Sequence, residues 1–193
     1  MHMSQPFDIL LLGPPGAGKG TQGVLLSKRL GLPKFATGDL LRDAVARETP
    51  LGLKAKAVME SGALVSDDLI LAVVREELDK PEAARGVIFD GVVRTVPQAE
   101  GVEQLLRERG RRIGHVLFLD VTDAEIMSRL DGRRSKEARP DDAPEAVARR
   151  LRAYREQTAP VLDWYQARGG VHRISGMGTV DQIADRIRKA LGQ

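Results

Sequence analysis

Cysteine and asparagine are both missing from this 193-residue chain. Without cysteine there are no disulfides, no thiol nucleophiles and no zinc sites of the cysteine type. Without asparagine the chain cannot spell Asn-Lys-x-Asp, the guanine-reading signature of GTP-dependent switch proteins. Aromatic residues make up only 4% of the sequence, so a core must be mainly aliphatic and there is no series of rings on which bases could stack. Long apolar runs are lacking too. The stretch "ILLL" at 9–12 is far too short to cross a bilayer, and the first residues carry no secretory signal pattern. The expectation is a cytoplasmic protein with no membrane partner.

What is there suits a globular chain: 42% hydrophobic and 30% charged residues, with a length that fits one domain and small inserts. Its 30 basic and 27 acidic side chains leave a net charge of +3, and the arginines lie scattered in mixed-sign segments, which argues against a nucleic-acid surface.

Short aliphatic runs alternate with longer amphipathic ones, the rhythm of a parallel sheet covered by helices on both faces. The strand candidates are "FDILLLG" from Phe7, "GVIFDG" at 86–91, "HVLFLDV" at 115–121 and "VHRISG" at 171–176, with "PKFATG" from Pro33 as a fifth. Helix starts are signalled by the capping-box pairs Thr122 with Glu125 and Thr179 with Gln182, and by Ser66 ahead of "DDLILAVVREEL". The polar, turn-rich "GRRSKEARPDDAP" at 132–144 reads as an exposed loop or short lid. His115 and His172 read as ordinary sheet residues, and Arg107, Arg109, Arg111 and Arg112 as a solvated run.

The most informative stretch is "GPPGAGKGTQ" at 13–22. Gly13, Gly16 and Gly18 precede Lys19 directly after an aliphatic strand and directly before a helical pattern. Glycines let the backbone curl so that its N–H groups and the helix N-terminus face one phosphate, and the lysine adds a positive charge. The general pattern GxxxxGK[ST] places a hydroxyl residue after the lysine, whereas here Gly20 holds that slot and Thr21 follows. A dinucleotide fingerprint through Gly18, Gly20 and Gly23 begins too far beyond the strand.

With its shifted hydroxyl the run resembles the phosphate-binding loop of the adenylate kinase family, GxPGxGKGTQ. The resemblance continues in order through "TGDLLR" at 37–42, "GALVSDD" at 62–68, "DGVVRTVPQAE" at 90–100, "RLDGRR" at 129–134 and "RPDDAPEAVARRLRAYREQTAPVLDWY" at 139–165. It implies an α/β fold, a P-loop NTPase-type three-layer sandwich around a five-stranded parallel sheet. It also implies one kinase domain with an AMP-binding insert near 36–65 and a short lid near 129–142, without zinc. The implied reaction is MgATP + AMP ⇌ 2 ADP, serving adenine nucleotide homeostasis, with ATP, AMP and ADP as partners and a monomer as the expected state.

Such a reaction gathers many negative charges in one cleft, so the protein's task is positioning and neutralisation. By resemblance, Gly16, Ala17, Gly18, Lys19, Gly20 and Thr21 would hold the ATP phosphates, and Gly178 in "SGMGT" would lie against the ATP base. Arg94 and Arg42 would clamp the AMP phosphate, since planar guanidinium groups suit bidentate contact. Arg129 and Arg133 match phosphate arginines on the ATP side, and Arg139 and Arg150 match those that also face AMP. Thr37 and Gln98 resemble the adenine-reading residues, with Ala63, Leu64, Val65, Gly91, Val92 and Val93 lining the same pocket. Asp39 and Asp90 would serve Mg2+ through water, because Gly20 offers no hydroxyl, although Asp39 could equally cap a helix. Asp141 and Asp142 resemble a lid-hinge acid pair or supply helix N-terminal charge.

One departure stands out. The family's Phe-Pro before the signature arginine is here Val92-Val93. In the family that proline bond is cis, and a cis bond before a non-proline residue costs about 3–4 kcal/mol. A trans bond is therefore expected, with a displaced loop that weakens AMP binding more than ATP binding. The nearest rival, a pyrimidine monophosphate kinase, shares fold and chemistry; Thr95 and Gln98 favour AMP, since that relative usually has asparagine after the arginine.

Overall fold

In the computed structural model, residues 7–48, 50–61, 65–136 and 144–192 are described. Five parallel strands form one sheet in the order β2-β3-β1-β4-β5: β1 is Asp8–Leu12, β2 Lys34–Ala36, β3 Ile88–Asp90, β4 Ile113–Asp120 and β5 Val171–Ser175. The helices are α1 (Lys19–Leu30), α2 (Thr37–Ala46), α3 (Pro50–Ser61), α4 (Asp67–Leu78), α5 (Val96–Arg107), α6 (Asp123–Lys136), α7 (Pro144–Ala153), α8 (Ala159–Gln166) and α9 (Val180–Ala190). A π-helical turn, Tyr154–Thr158, joins α7 to α8.

The central strand explains the layering. Every residue of β1 is buried, and its side chains alternate: Leu10 and Leu12 join a core with α4, α5 and α8, while Ile9 and Leu11 join another with α1 and α9. Burial on both sides is why β1 reads as a continuous aliphatic run. All five strand expectations correspond to observed strands, including the short β2. The connections from β1 and β4 leave in opposite directions, and in such sheets ligands bind outside the strand C-termini near that switch.

Several local expectations need correction or refinement. Residues 132–136 do not form a loop but continue α6, because Arg, Ser and Lys all tolerate a helix and no proline intervenes before Pro140. The rest of the anticipated lid, including Arg139, Asp141 and Asp142, lies outside the described residues, as do Ala63 and Leu64. Thr179 and Gln182 form the full capping box, whereas Ser66 occupies the N-cap of α4 without a side-chain bond. Arg111 is not solvated: it is buried against Asp8, itself fully buried, with Nε 3.1 Å from Oδ2 and a second contact from Nη2 to Oδ1. Asp8 also accepts from Val87 N at 2.8 Å, so the pair ties β1 to the starts of β3 and β4. Burial raises the Asp8 pKa more than these partners lower it. His115 and His172 lie on neighbouring strands with Nδ1 and Nε2 3.2 Å apart.

Candidate active site

The strand β1 ends in a turn whose conformation only glycine accepts easily. Gly13, Gly16 and Gly18 have φ of 145°, 82° and 93°, and a Cβ on Gly13 would come within 2.9 Å of the Leu119 carbonyl oxygen. Gly18 is the N-cap of α1, which has neither a side-chain cap nor an acidic residue in its first turn. The positive end of that helix thus keeps its amides for an anion. Lys19 Nζ lies over the turn, donating to the Gly13 and Pro14 carbonyls at 2.7 and 3.0 Å.

Next to it, β3 ends at Asp90, beside Leu11 of β1 and Ala36 of β2. The following loop brings Arg94 back over Gly91: Arg94 Nε donates to the Gly91 carbonyl at 2.9 Å, and a Cβ on Gly91 would stand only 3.3 Å from Arg94 Nη2. Thr37 Oγ1, at the start of α2, donates to the same carbonyl at 3.0 Å. Val92 and Val93 are buried, and among the described residues no peptide bond is cis, so the Val92–Val93 bond is trans.

These elements share a cleft lined by Gly13, Pro15, Lys19, Gly91, Val93, Arg94, Arg150, Tyr154 and Thr158 among others. Three cations from three separate segments, Lys19, Arg94 and Arg150, therefore converge at the C-terminal edge of the sheet. Little in an isolated fold calls for such like-charge convergence, and an anionic ligand does.

The family comparison bears on which anion. Residues 11–170 match the family model described as Adenylate kinase. The chain is 50% identical over 184 residues to the adenylate kinase of Thermus thermophilus, an alignment covering 95% of this chain and 96% of that one. It is 45% identical over 209 residues to the adenylate kinase of Gemmatimonas aurantiaca (95% and 98% covered) and 45% over 185 residues to that of Xanthomonas euvesicatoria (96% and 99% covered). The chain belongs to the adenylate kinase family. It is a phosphotransferase that moves the terminal phosphoryl group of ATP to AMP, on the P-loop α/β fold described above.

Within this family member the remaining candidates fall around the cleft in different settings. Arg129, on α6, donates from Nη1 to the Ala17 carbonyl at 3.3 Å, from Nη2 to the Gly176 carbonyl at 2.7 Å and from Nε to Glu125 at 2.8 Å. It braces the glycine loop against the β5–α9 turn, where Gly178 sits at φ 100°. Gln22, buried on α1, donates to the Val180 carbonyl at 2.9 Å and fastens the same two segments. Arg133 lies further along α6. Arg42 bonds to Asp39 at 2.6 Å on the exposed side of α2, and Val65 is partly buried just before α4.

Two arrangements escaped the sequence reading. Lys34 Nζ stands 3.4 Å from both Asp39 Oδ2 and Asp90 Oδ2, its stem packed over Gly23, where a Cβ would come within 2.8 Å of the lysine Cδ. Burial pushes the Asp39 pKa up, but the Arg42 hydrogen bond and the Lys34 charge outweigh it and the net shift is downward. A lysine inside a short strand was the available signal. The second is Asp67, which accepts from both Thr95 and Gln98; here the signal was Thr95-x-x-Gln98, a capping pattern immediately after the signature arginine.

Proposed function

We propose a division of labour in which the glycine loop and Lys19 hold the ATP phosphates while Arg94 and Arg42 hold the AMP phosphate across the cleft. The observation that carries it is the meeting of Lys19, Arg94 and Arg150 in one cleft at the ends of β1 and β3. An oxygen of the AMP phosphate attacks the γ-phosphorus of ATP, the bond from that phosphorus to the bridging oxygen of ADP breaks, and charge spreads over the transferring group. Arg150, with Arg133 and Arg139, meets that charge; Arg129 does so through its place beside Ala17 and Gly18, its Nη1 lying 3.8 Å from where a Gly18 Cβ would be. Thr37, Gln98, Ala63, Leu64, Val65, Gly91, Val92 and Val93 form the AMP side.

The donor set suits Mg2+ held mainly by phosphate and water. Asp90 Oδ2 would be 3.6 Å from a Cβ on Gly20, so a carboxylate stands where the usual hydroxyl is missing, and Asp39 shares Lys34 with it. Among the described residues no group of three or more potential ligands forms a protein cage. When bound, the ion would neutralise charge on the phosphates; Asp39 and Asp90 would orient its waters.

The reading includes an AMP-binding insert at 36–65 and a lid at 129–142 that close over the substrates and exclude water. It also makes the enzyme a cytoplasmic monomer with no nucleic-acid partner. Among the described residues no helix is long and apolar enough to cross a membrane. The direct test is Arg150→Met: turnover is expected to fall at least about a hundredfold with the melting temperature little changed. Undiminished turnover would remove Arg150 from the site.

A further inference from the structure

The loop that carries Arg94 is held by side chains that phosphate binding leaves unused. Asp67, in the first turn of α4, accepts on Oδ1 from Gln98 Nε2 at 2.8 Å and from Thr95 Oγ1 at 2.9 Å. Thr95 Oγ1 in turn accepts from Gln98 N at 3.2 Å, and Gln98 Oε1 accepts from Arg94 N at 2.7 Å. Gln98 is 1% exposed, so its end of these bonds is shielded from water.

A carboxamide has two ends of nearly equal shape, one accepting and one donating. A glutamine free to turn over can therefore offer a base either order of donor and acceptor. Here turning over would set Gln98 Nε2 against the Arg94 N–H and Oε1 against the Asp67 carboxylate, donor facing donor and acceptor facing acceptor. In the observed direction Gln98 still has one N–H and one oxygen lone pair unspent by Asp67 and Arg94. Adenine offers its exocyclic amine as donor beside N1 as acceptor; hypoxanthine, of the same outline, offers an oxygen acceptor beside an N1–H donor. Only one direction of the carboxamide matches each.

We propose that Asp67 is a positioning and specificity-determining residue. By accepting from Gln98 Nε2 it fixes which way the carboxamide points, and through it both the backbone of Arg94 and the preference for adenine at the acceptor site. The proposal rests on the assignment of Arg94 and Gln98 to the AMP side.

The test compares wild type with Asp67→Ala, Asp67→Asn and Gln98→Ala, using AMP and IMP as acceptors, with melting curves to confirm folding. In Asp67→Ala the KM for AMP is expected to rise about tenfold, the cost of one orphaned buried donor, and the AMP-over-IMP preference in kcat/KM to shrink by a similar factor. The KM for MgATP should stay within about twofold. Asp67→Asn, whose amide oxygen can still accept from both partners, should retain the wild-type KM for AMP and preference. If Asp67→Ala leaves both unchanged while Gln98→Ala alters them, the role of Asp67 is overturned and the site assignment stands. If Gln98→Ala also leaves them unchanged, the site assignment itself fails. A loss shared equally by both substrates and not rescued by Asp67→Asn would reduce Asp67 to a structural residue and equally overturn the proposal.

Discussion

The loop after β1 and the loop after β3 reach one cleft from neighbouring strands, yet they are built from different materials. The first is shaped by backbone: three glycines at positive φ, an uncapped helix start and a lysine lying on the turn's own carbonyls. The second is shaped by side chains, with Asp67, Thr95 and Gln98 bonded in series to Arg94. A backbone device tolerates little change in its glycines but depends on few partners; a side-chain device keeps its form while individual residues vary, provided the chain of bonds survives. That difference fits what is found at positions 92 and 93, where two buried valines on a trans bond stand in the place of the family's Phe-Pro while Arg94 stays in the cleft.

The sharpest contrast comes from breaking each loop at its cation. Replacing Lys19 by Met is expected to lower kcat by about a thousandfold or more, since it removes the cation held on the glycine turn itself. Retained turnover would show that the glycine backbone alone suffices. Arg94→Lys keeps the charge but loses the planar fork, and kcat/KM for AMP should fall about ten- to a hundredfold with the KM for MgATP little moved. An equal rise in both KM values would mean that the second loop does not belong to the AMP side.

How far these two loops were legible follows from the same difference. The glycine loop could be read because its physics is local: turn, strand and helix start occupy consecutive residues. The strands were legible for a similar reason: β1, buried along its whole length, reads as an aliphatic run, and β3 and β4 carry aliphatic stretches, whereas β2 and β5 are more polar and announce themselves less. The network around Gln98 was legible only in its local part, the Thr95-x-x-Gln98 cap; Asp67 lies 31 positions from Gln98 and nothing in either neighbourhood announces it as the partner. Arg111 misled for the same reason, its partner Asp8 being 103 positions away. Lys34 was invisible as a link between Asp39 and Asp90 until β2 was placed beside β3.

A smaller effect is expected at the altered signature. Restoring Phe and Pro together, Val92→Phe with Val93→Pro, should lower the KM for AMP about two- to tenfold and leave that for MgATP unchanged, because only the second loop is altered. No change in either KM would show that the side-chain network already places Arg94 as well as the proline does. The smallest effect concerns the wall both loops face. Burial, reinforced by Asp120 and opposed by Arg173, pushes the Tyr154 hydroxyl up to about 12. The native state then holds its proton more tightly than the unfolded chain, so this contribution to stability is complete below pH 10 and declines as pH rises from 10 through 12. Denaturant melts of wild type and Tyr154→Phe should diverge in their pH dependence only in that window. Parallel profiles would mean that Tyr154 titrates alike in both states.

The central claim, that one loop serves ATP and the other selects AMP, is tested most directly by steady-state ADP formation from MgATP with AMP, CMP, UMP and GMP as separate acceptors. Efficient turnover confined to AMP, cut about a thousandfold or more by Lys19→Met and lowered in kcat/KM for AMP by Arg94→Lys with the MgATP KM little moved, is the predicted result. Comparable turnover with CMP or UMP, or an Arg94→Lys defect expressed in the MgATP KM, would contradict it.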